Sequence, residues 1–237
     1  MCIIRSQSGE PTRFSIFYFL LFSPVDNAFT GKYKQQIKSN SLNSPVKNDY
    51  MLRLFWRLWW KLSGWKLKGN FPGHIKKMVL IVAPHTSWKD IIVGFAAREQ
   101  LTIRNAKFLG KKELFDGPFG WLFRALGGVP VDRFGSHGVV EQVVELFSRN
   151  DEFILAMSPE GTRKKVDKLR TGFYHIAKKA NVPIHMVAFD FSKKEVISGE
   201  PFYPSNDETA DFKRILNFFS PVKGAKPEQG LGHLSEG

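Results

Sequence analysis

Met78-Val79-Leu80-Ile81-Val82-Ala83 is an uninterrupted apolar run that stops at Pro84. A short run of this kind, closed by a proline, reads as a buried strand. Polar chemistry begins at the next residue, in His85-Thr86-Ser87-Trp88-Lys89-Asp90. On a continuous helix, five residues advance about 500°, so His85 and Asp90 would not sit above one another. They meet more readily if His85 follows the strand and Asp90 lies in the first turn of the next helix. Ser87 offers an N-cap for that helix, with Asp90 at its third position, ahead of the apolar residues Ile91, Ile92, Val93 and Phe95. A histidine held by a carboxylate has its tautomer fixed and its imidazolium stabilised, as a general base requires.

The same pattern, strand then chemistry, recurs. Phe153-Ile154-Leu155-Ala156-Met157 opens into Ser158-Pro159-Glu160-Gly161-Thr162-Arg163, and Gly127 to Val131 leads into Asp132-Arg133. Asn181 to Ala188 is a further strand, entered through Pro183, and Lys107 to Gly110 a short one. Between them fall helical segments: Phe119 to Leu126, Gly138 to Phe147, Thr171 to Lys179 and Asp207 to Phe219. This alternation predicts an α/β fold, a single domain with a largely parallel sheet flanked by helices. About 170 residues from Met51 to Phe219 suffice for one such domain with a full core.

Four of these blocks together resemble the lysophospholipid (glycerolipid) acyltransferase family. They are the histidine and aspartate with four residues between them, Gly127 to Arg133, Pro159-Glu160-Gly161-Thr162-Arg163, and Val182-Pro183-Ile184. They stand in the family's order within residues 78 to 190, the first and third being the specific ones. The chain departs from the family pattern at Pro84, where the family usually has asparagine. The resemblance implies acyl transfer to the hydroxyl of a lysolipid, most simply 1-acylglycerol-3-phosphate, with acyl-CoA or acyl-carrier protein as co-substrate and no other cofactor. It makes His85 and Asp90 the catalytic pair and places Arg133, Glu160, Gly161, Thr162 and Arg163 at the acceptor site.

The residues argue in the same direction on their own. Moving an acyl group from a thioester to an alcohol needs a base for the hydroxyl proton, which His85 supplies without an acyl-enzyme. A covalent nucleophile has little support: Cys2 is the single cysteine, and Ser87 and Ser158 lack the glycine-flanked nucleophile elbow. Arg133 and Arg163 each follow a strand, so both are candidates to clamp a phosphate at one sheet edge. Glu160 cannot bind phosphate; its expected task is to fix an arginine or the acceptor hydroxyl. Gly161 allows close approach of backbone to ligand. The bland alternative for Glu160 and Arg163 is an ordinary turn ion pair.

Thirty-five Lys and Arg against 22 Asp and Glu leave a formal charge of +13. Such a balance favours anionic partners: a membrane lipid surface, an acidic carrier protein or nucleic acid. Zinc-ligand spacing, an RNP-type motif and a helix-turn-helix signal are all missing, so no nucleic acid is expected. The rival functions are acylation of another lysolipid, such as a lyso-amino-acid lipid, and a non-catalytic basic protein that binds membrane or nucleic acid. Within Met51 to Leu62, Arg53, Arg57 and Lys61 form one stripe of a helix, and Leu52, Phe55, Trp56, Trp59 and Leu62 cover the other side. That pattern fits either an interfacial helix on anionic lipid or a helix packed on the domain. The expected location is membrane-associated, on the cytoplasmic face. Trp88, Phe115, Phe119, Trp121 and Phe123 likewise fit an acyl-chain groove or a core.

Residues 1–50 differ in character from the rest. Phe14 to Phe22 is too short to span a bilayer, and Lys32 to Asp49 is rich in Ser, Asn and Lys. The expectation is a disordered or over-extended N-terminal segment, 1–50, an acyltransferase domain, 51–219, and a flexible C-terminal tail, 220–237.

Overall fold

The computed structural model describes residues 49–103, 106–131 and 138–235. The expected extension, residues 1–50, lies outside them except for its last two residues, which belong to the first helix. In chain order the elements are α1 (Asp49–Ser63), β1 (Lys66–Lys68), β2 (Lys77–Ala83), α2 (Lys89–Gln100), β3 (Ala106–Lys111), α3 (Lys112–Asp116), α4 (Gly120–Ala125) and β4 (Gly128–Val131). There follow α5 (Val139–Arg149), β5 (Phe153–Met157), α6 (Gly172–Ala180), β6 (Ile184–Asp190), β7 (Glu195–Ser198) and α7 (Glu208–Phe219), then two short 3-10 turns.

The strands form one sheet in the order β1-β7-β6-β2-β5-β3-β4. From β6 to β4 every pairing is parallel; β7 runs antiparallel to β6, and β1 pairs in parallel with β7. The α/β expectation holds, with two short strands added at one edge. β2 lies in the middle, and its alternation assigns its side chains to two layers. Val79, Ile81 and Ala83 join the core beneath α5, α6 and α7, with Phe147, Phe173, Ile176 and Ile215. Met78 and Leu80 join the opposite core, with Val93 and Ala97 of α2 and with Trp59 and Trp60 of α1. Helices on both faces explain why the sequence of β2 is apolar throughout rather than alternating.

α1 resolves the two readings of its amphipathic pattern. Trp56 stacks on Phe95 of α2, ring centroids 5.9 Å apart, and Arg57 pairs with Glu99 at 3.2 Å. The tryptophans therefore pack on the domain. A different stripe remains in solvent: Met51, Leu54, Phe55, Leu58 and Leu62 are all exposed.

The C-terminal segment needs a correction. Residues 220–235, expected to be a flexible tail, bury Val222 and Leu231 in the core with α7 and carry 3-10 turns at Pro227–Gln229 and Gly232–Ser235. Two well-spaced apolar anchors hold a segment whose composition is otherwise polar and glycine-rich.

Candidate active site

β2 brings the chain to the carboxyl edge of the sheet, and the turn after it holds the histidine. α2 begins at Lys89, one residue later than expected, with no side-chain cap from Trp88. Ser87 does not serve as the N-cap; among the described residues its hydroxyl accepts only the Lys89 amide, at 3.3 Å. Asp90 instead folds back from the first turn, and its Oδ2 accepts the amides of Thr86 and Ser87, both at 2.8 Å. A carboxylate there also complements the positive end of the helix dipole.

The same Oδ2 lies 3.1 Å from His85 Nδ1. Asp90 is buried, whereas the His85 side chain keeps 26% of its surface exposed. A proton on Nδ1, the assignment this contact favours, leaves Nε2 as the unprotonated nitrogen that can accept one. Arg163 donates from Nε toward Nε2 across 3.4 Å, a long and weak bond. The site is thus a buried carboxylate, an oriented imidazole and a guanidinium in line. Asp90 Oδ1 is buried without a hydrogen-bond partner among the described residues.

β5 pairs with β2 and ends beside it, so its following turn reaches the histidine. Of the two tasks expected for Glu160, fixing an arginine or the acceptor hydroxyl, the first is not seen: among the described residues it holds no arginine. Its two oxygens accept the backbone amide of His85 at 2.9 and 2.8 Å, and the Ser158 hydroxyl donates to Oε2 at 2.9 Å. Glu160 therefore fixes the backbone of the histidine, in a place where 2% of its surface reaches solvent. Burial pushes its carboxyl above the ordinary glutamate value, against the opposing pull of the His85 amide, the Ser158 hydroxyl and the His85 charge. A carboxyl with a raised folded pKa holds its proton more tightly when folded, so its contribution to stability falls as pH rises through that value. Glu160→Gln can keep the oxygen on the His85 amide and turn its nitrogen to Ser158. The variant is expected to show a smaller fall in melting temperature between mildly acidic and neutral pH than the wild type. An unchanged fall would show that Glu160 does not carry this titration.

Gly161 has φ +67°, the left-handed region that favours glycine, and a Cβ there would come within 3.2 Å of Arg170 Cγ. Arg170 was not singled out by the sequence. Its amide donates to the Pro159 carbonyl at 2.8 Å, and its exposed side chain lies against the turn that carries Arg163. With Val166, Asp167 and Lys168 it lines a hollow of about 470 Å³. Thr162 closes the turn locally, its hydroxyl accepting the Lys164 amide at 3.3 Å. Arg133 lies outside the described residues. The strand that leads to it, β4, is three strands from β2, roughly 14 Å at ordinary strand spacing. The structure thus brings His85, Asp90, Glu160, Gly161 and Arg163 together. Of the aromatic group, Phe115 is buried, with Phe123 edge-on to it at 6.1 Å, whereas Trp88, Phe119 and Trp121 are exposed.

A central parallel sheet with an aspartate-oriented imidazole at its carboxyl edge defines an α/β protein equipped for proton transfer. A family model described as Acyltransferase matches residues 66–190, more than half of the chain, and the chain belongs to that family. It is 29% identical over 163 residues to a 1-acyl-sn-glycerol-3-phosphate acyltransferase of Streptococcus pneumoniae (strain ATCC BAA-255 / R6). The match covers 65% of this chain and 60% of that relative.

Proposed function

We propose that this protein moves a fatty acyl group from a thioester donor, acyl-CoA or acyl-carrier protein, to the hydroxyl of 1-acylglycerol-3-phosphate, giving phosphatidic acid. The observation that carries the reading is His85, tied to Asp90 through Nδ1 and presenting Nε2 beside Arg163. The acceptor hydroxyl gives its proton to Nε2 while its oxygen attacks the thioester carbonyl. The tetrahedral adduct then collapses, the C–S bond breaks, and the imidazolium returns the proton to the departing thiolate. Asp90 supplies the countercharge for the imidazolium throughout. No covalent acyl-enzyme enters this sequence.

Arg163 explains why a phosphate-bearing acceptor suits the site. At rest its Nε rests weakly on the nitrogen that must act as base. A phosphomonoester offers the guanidinium stronger, charge-assisted bonds, which draw it off Nε2 and free the lone pair for the hydroxyl. Arg170, whose side chain lies against Gly161, is the candidate for the second cation of the clamp. Arg163→Ala and Arg170→Ala are each expected to raise the KM for 1-acylglycerol-3-phosphate about tenfold and to change the donor KM little. Equal increases for both substrates would remove the arginines from the acceptor site. The acceptor itself is identified by giving the purified protein a labelled acyl thioester with a mixture of cellular lysolipids and analysing the products by mass spectrometry. Phosphatidic acid as the main product supports the reading; an acylated amino-acid lipid without phosphatidic acid contradicts it.

The lipid acceptor calls for contact with a membrane surface, on the cytoplasmic face in this reading. No helix among the described residues is long and apolar enough to cross a membrane. The exposed stripe of α1 is suited to lie in the headgroup region, since Met51, Phe55, Leu58 and Leu62 follow one helical face with Lys61 beside it. The tryptophans are the wrong residues to test, because they are docked. Phe55→Ser with Leu58→Ser is expected to weaken partition into vesicles containing anionic lipid about tenfold with an unchanged melting temperature. Trp56→Ala should lower the melting temperature through its lost stacking on Phe95. Undiminished partition of the double variant would exclude this face.

A further inference from the structure

The segment after α7 reaches across the molecule to the histidine turn, and its contacts there are more specific than packing requires. Val222 and Leu231 anchor it in the core at either end. Between them Gly224 passes so close to the turn that a Cβ would lie 2.7 Å from Thr86 Oγ1 and 3.3 Å from Pro84 Cβ. The Lys226 amide donates to Thr86 Oγ1 at 3.1 Å. The 3-10 turn Pro227–Gln229 then presents the Gln229 side chain to two carbonyls at once. With the amide turned so that its nitrogen faces them, that nitrogen donates to Thr86 O at 3.2 Å and to Arg163 O at 2.5 Å.

Thr86 is 2% exposed, and all three of its polar groups are engaged. Its amide goes to Asp90, its hydroxyl to Lys226 and its carbonyl to Gln229. Beyond the β2–β5 ladder and the weak Arg163–His85 contact, two further ties join the histidine turn to the Pro159–Arg163 turn. One is Glu160, from within the second turn, on the His85 amide. The other is Gln229, contributed by a part of the chain outside both. A single tie leaves the turns free to pivot; two ties fix the separation on which the placement of Arg163 against His85 Nε2 depends.

We infer that Gln229 is a positioning residue, a side-chain brace from the C-terminal segment that holds the His85 turn and the Arg163 turn in register for acyl transfer. The inference rests on the function proposed above. The brace requires a donor, because both groups it meets are acceptors. Gln229→Glu keeps the size and replaces the donor by an acceptor set against two carbonyls; Gln229→Met removes the donor without adding charge.

The test combines kinetics with hydrogen–deuterium exchange on the full chain. Both variants are expected to lower kcat about tenfold or more, since a misplacement near 1 Å is enough for such a loss, while the donor KM stays within about twofold. Exchange should quicken at the amides of Thr86 and Ser87, which bond to Asp90, and stay unchanged in α5 and α6. Retained kcat with unchanged exchange at Thr86 and Ser87 overturns the inference. So does a loss of rate that merely follows the unfolded fraction, with exchange raised evenly over the domain. Should Gln229→Glu fail to fold, Gln229→Met carries the same expectations. If the wild-type chain transfers no acyl group, the proposed function fails, and the exchange comparison alone decides whether Gln229 ties the two turns.

Discussion

Replacing His85 by alanine is expected to lower turnover at least about a hundredfold, the usual scale of a lost general base. The melting temperature should stay close to that of the wild type. The imidazole is partly exposed and its polar contacts are with Asp90 and the weakly held Arg163. Its backbone amide, which satisfies Glu160, survives the substitution, as do the two amides that Asp90 accepts. The turn therefore keeps its internal bonds and loses only the ring. Steady-state rates with an acyl thioester, alongside a thermal melt, separate the two effects; wild-type turnover from folded His85→Ala would falsify the assignment.

Asp90→Asn is expected to cost about a hundredfold in kcat as well, for a different reason. The asparagine oxygen can still take the Thr86 and Ser87 amides, so the turn remains closed. That oxygen also still faces Nδ1, so the tautomer is kept, but the negative charge that stabilises the imidazolium is gone. Stability should change little. The variant removes a buried charge, and that relief offsets both the weaker hydrogen bonds and the cost of an amide nitrogen at the Oδ1 position, which has no partner among the described residues. A melting temperature that collapses together with the rate would instead make Asp90 chiefly a structural cap of α2.

Local signals in the sequence were sufficient for the central strands and for the meeting of His85 with Asp90. β5 runs from Phe153 to Met157 as the apolar run predicts, and β2 extends the predicted run by one residue, to Lys77. His85 and Asp90 are neighbours in sequence, so a strand end and a first helical turn were enough to bring them together. The two short strands β1 and β7, added at one edge, were not legible. β1 consists of Lys66, Leu67 and Lys68, all exposed, and it exists because its backbone pairs with β7. Glu160 was recognised as part of a motif, yet its partner was not, since the His85 amide lies 75 residues away and a backbone group leaves no trace in composition. The amphipathic pattern of α1 has three faces, basic, docked and exposed apolar. A helical projection alone could not tell the last two apart. The C-terminal segment misled for a similar reason: two buried side chains, Val222 and Leu231, outweigh its polar remainder.

Direct transfer assisted by His85 is tested most plainly by a single-turnover mixture of purified protein and labelled acyl thioester, sampled before and after 1-acylglycerol-3-phosphate is added. Intact-protein mass spectrometry follows the enzyme and lipid analysis follows the product. The expected result is no acyl adduct on the protein before the acceptor is added. Labelled phosphatidic acid then forms at once afterwards, and forms at least about a hundredfold more slowly with His85→Ala. An acyl-protein adduct that builds up without acceptor and discharges when acceptor arrives would contradict the mechanism.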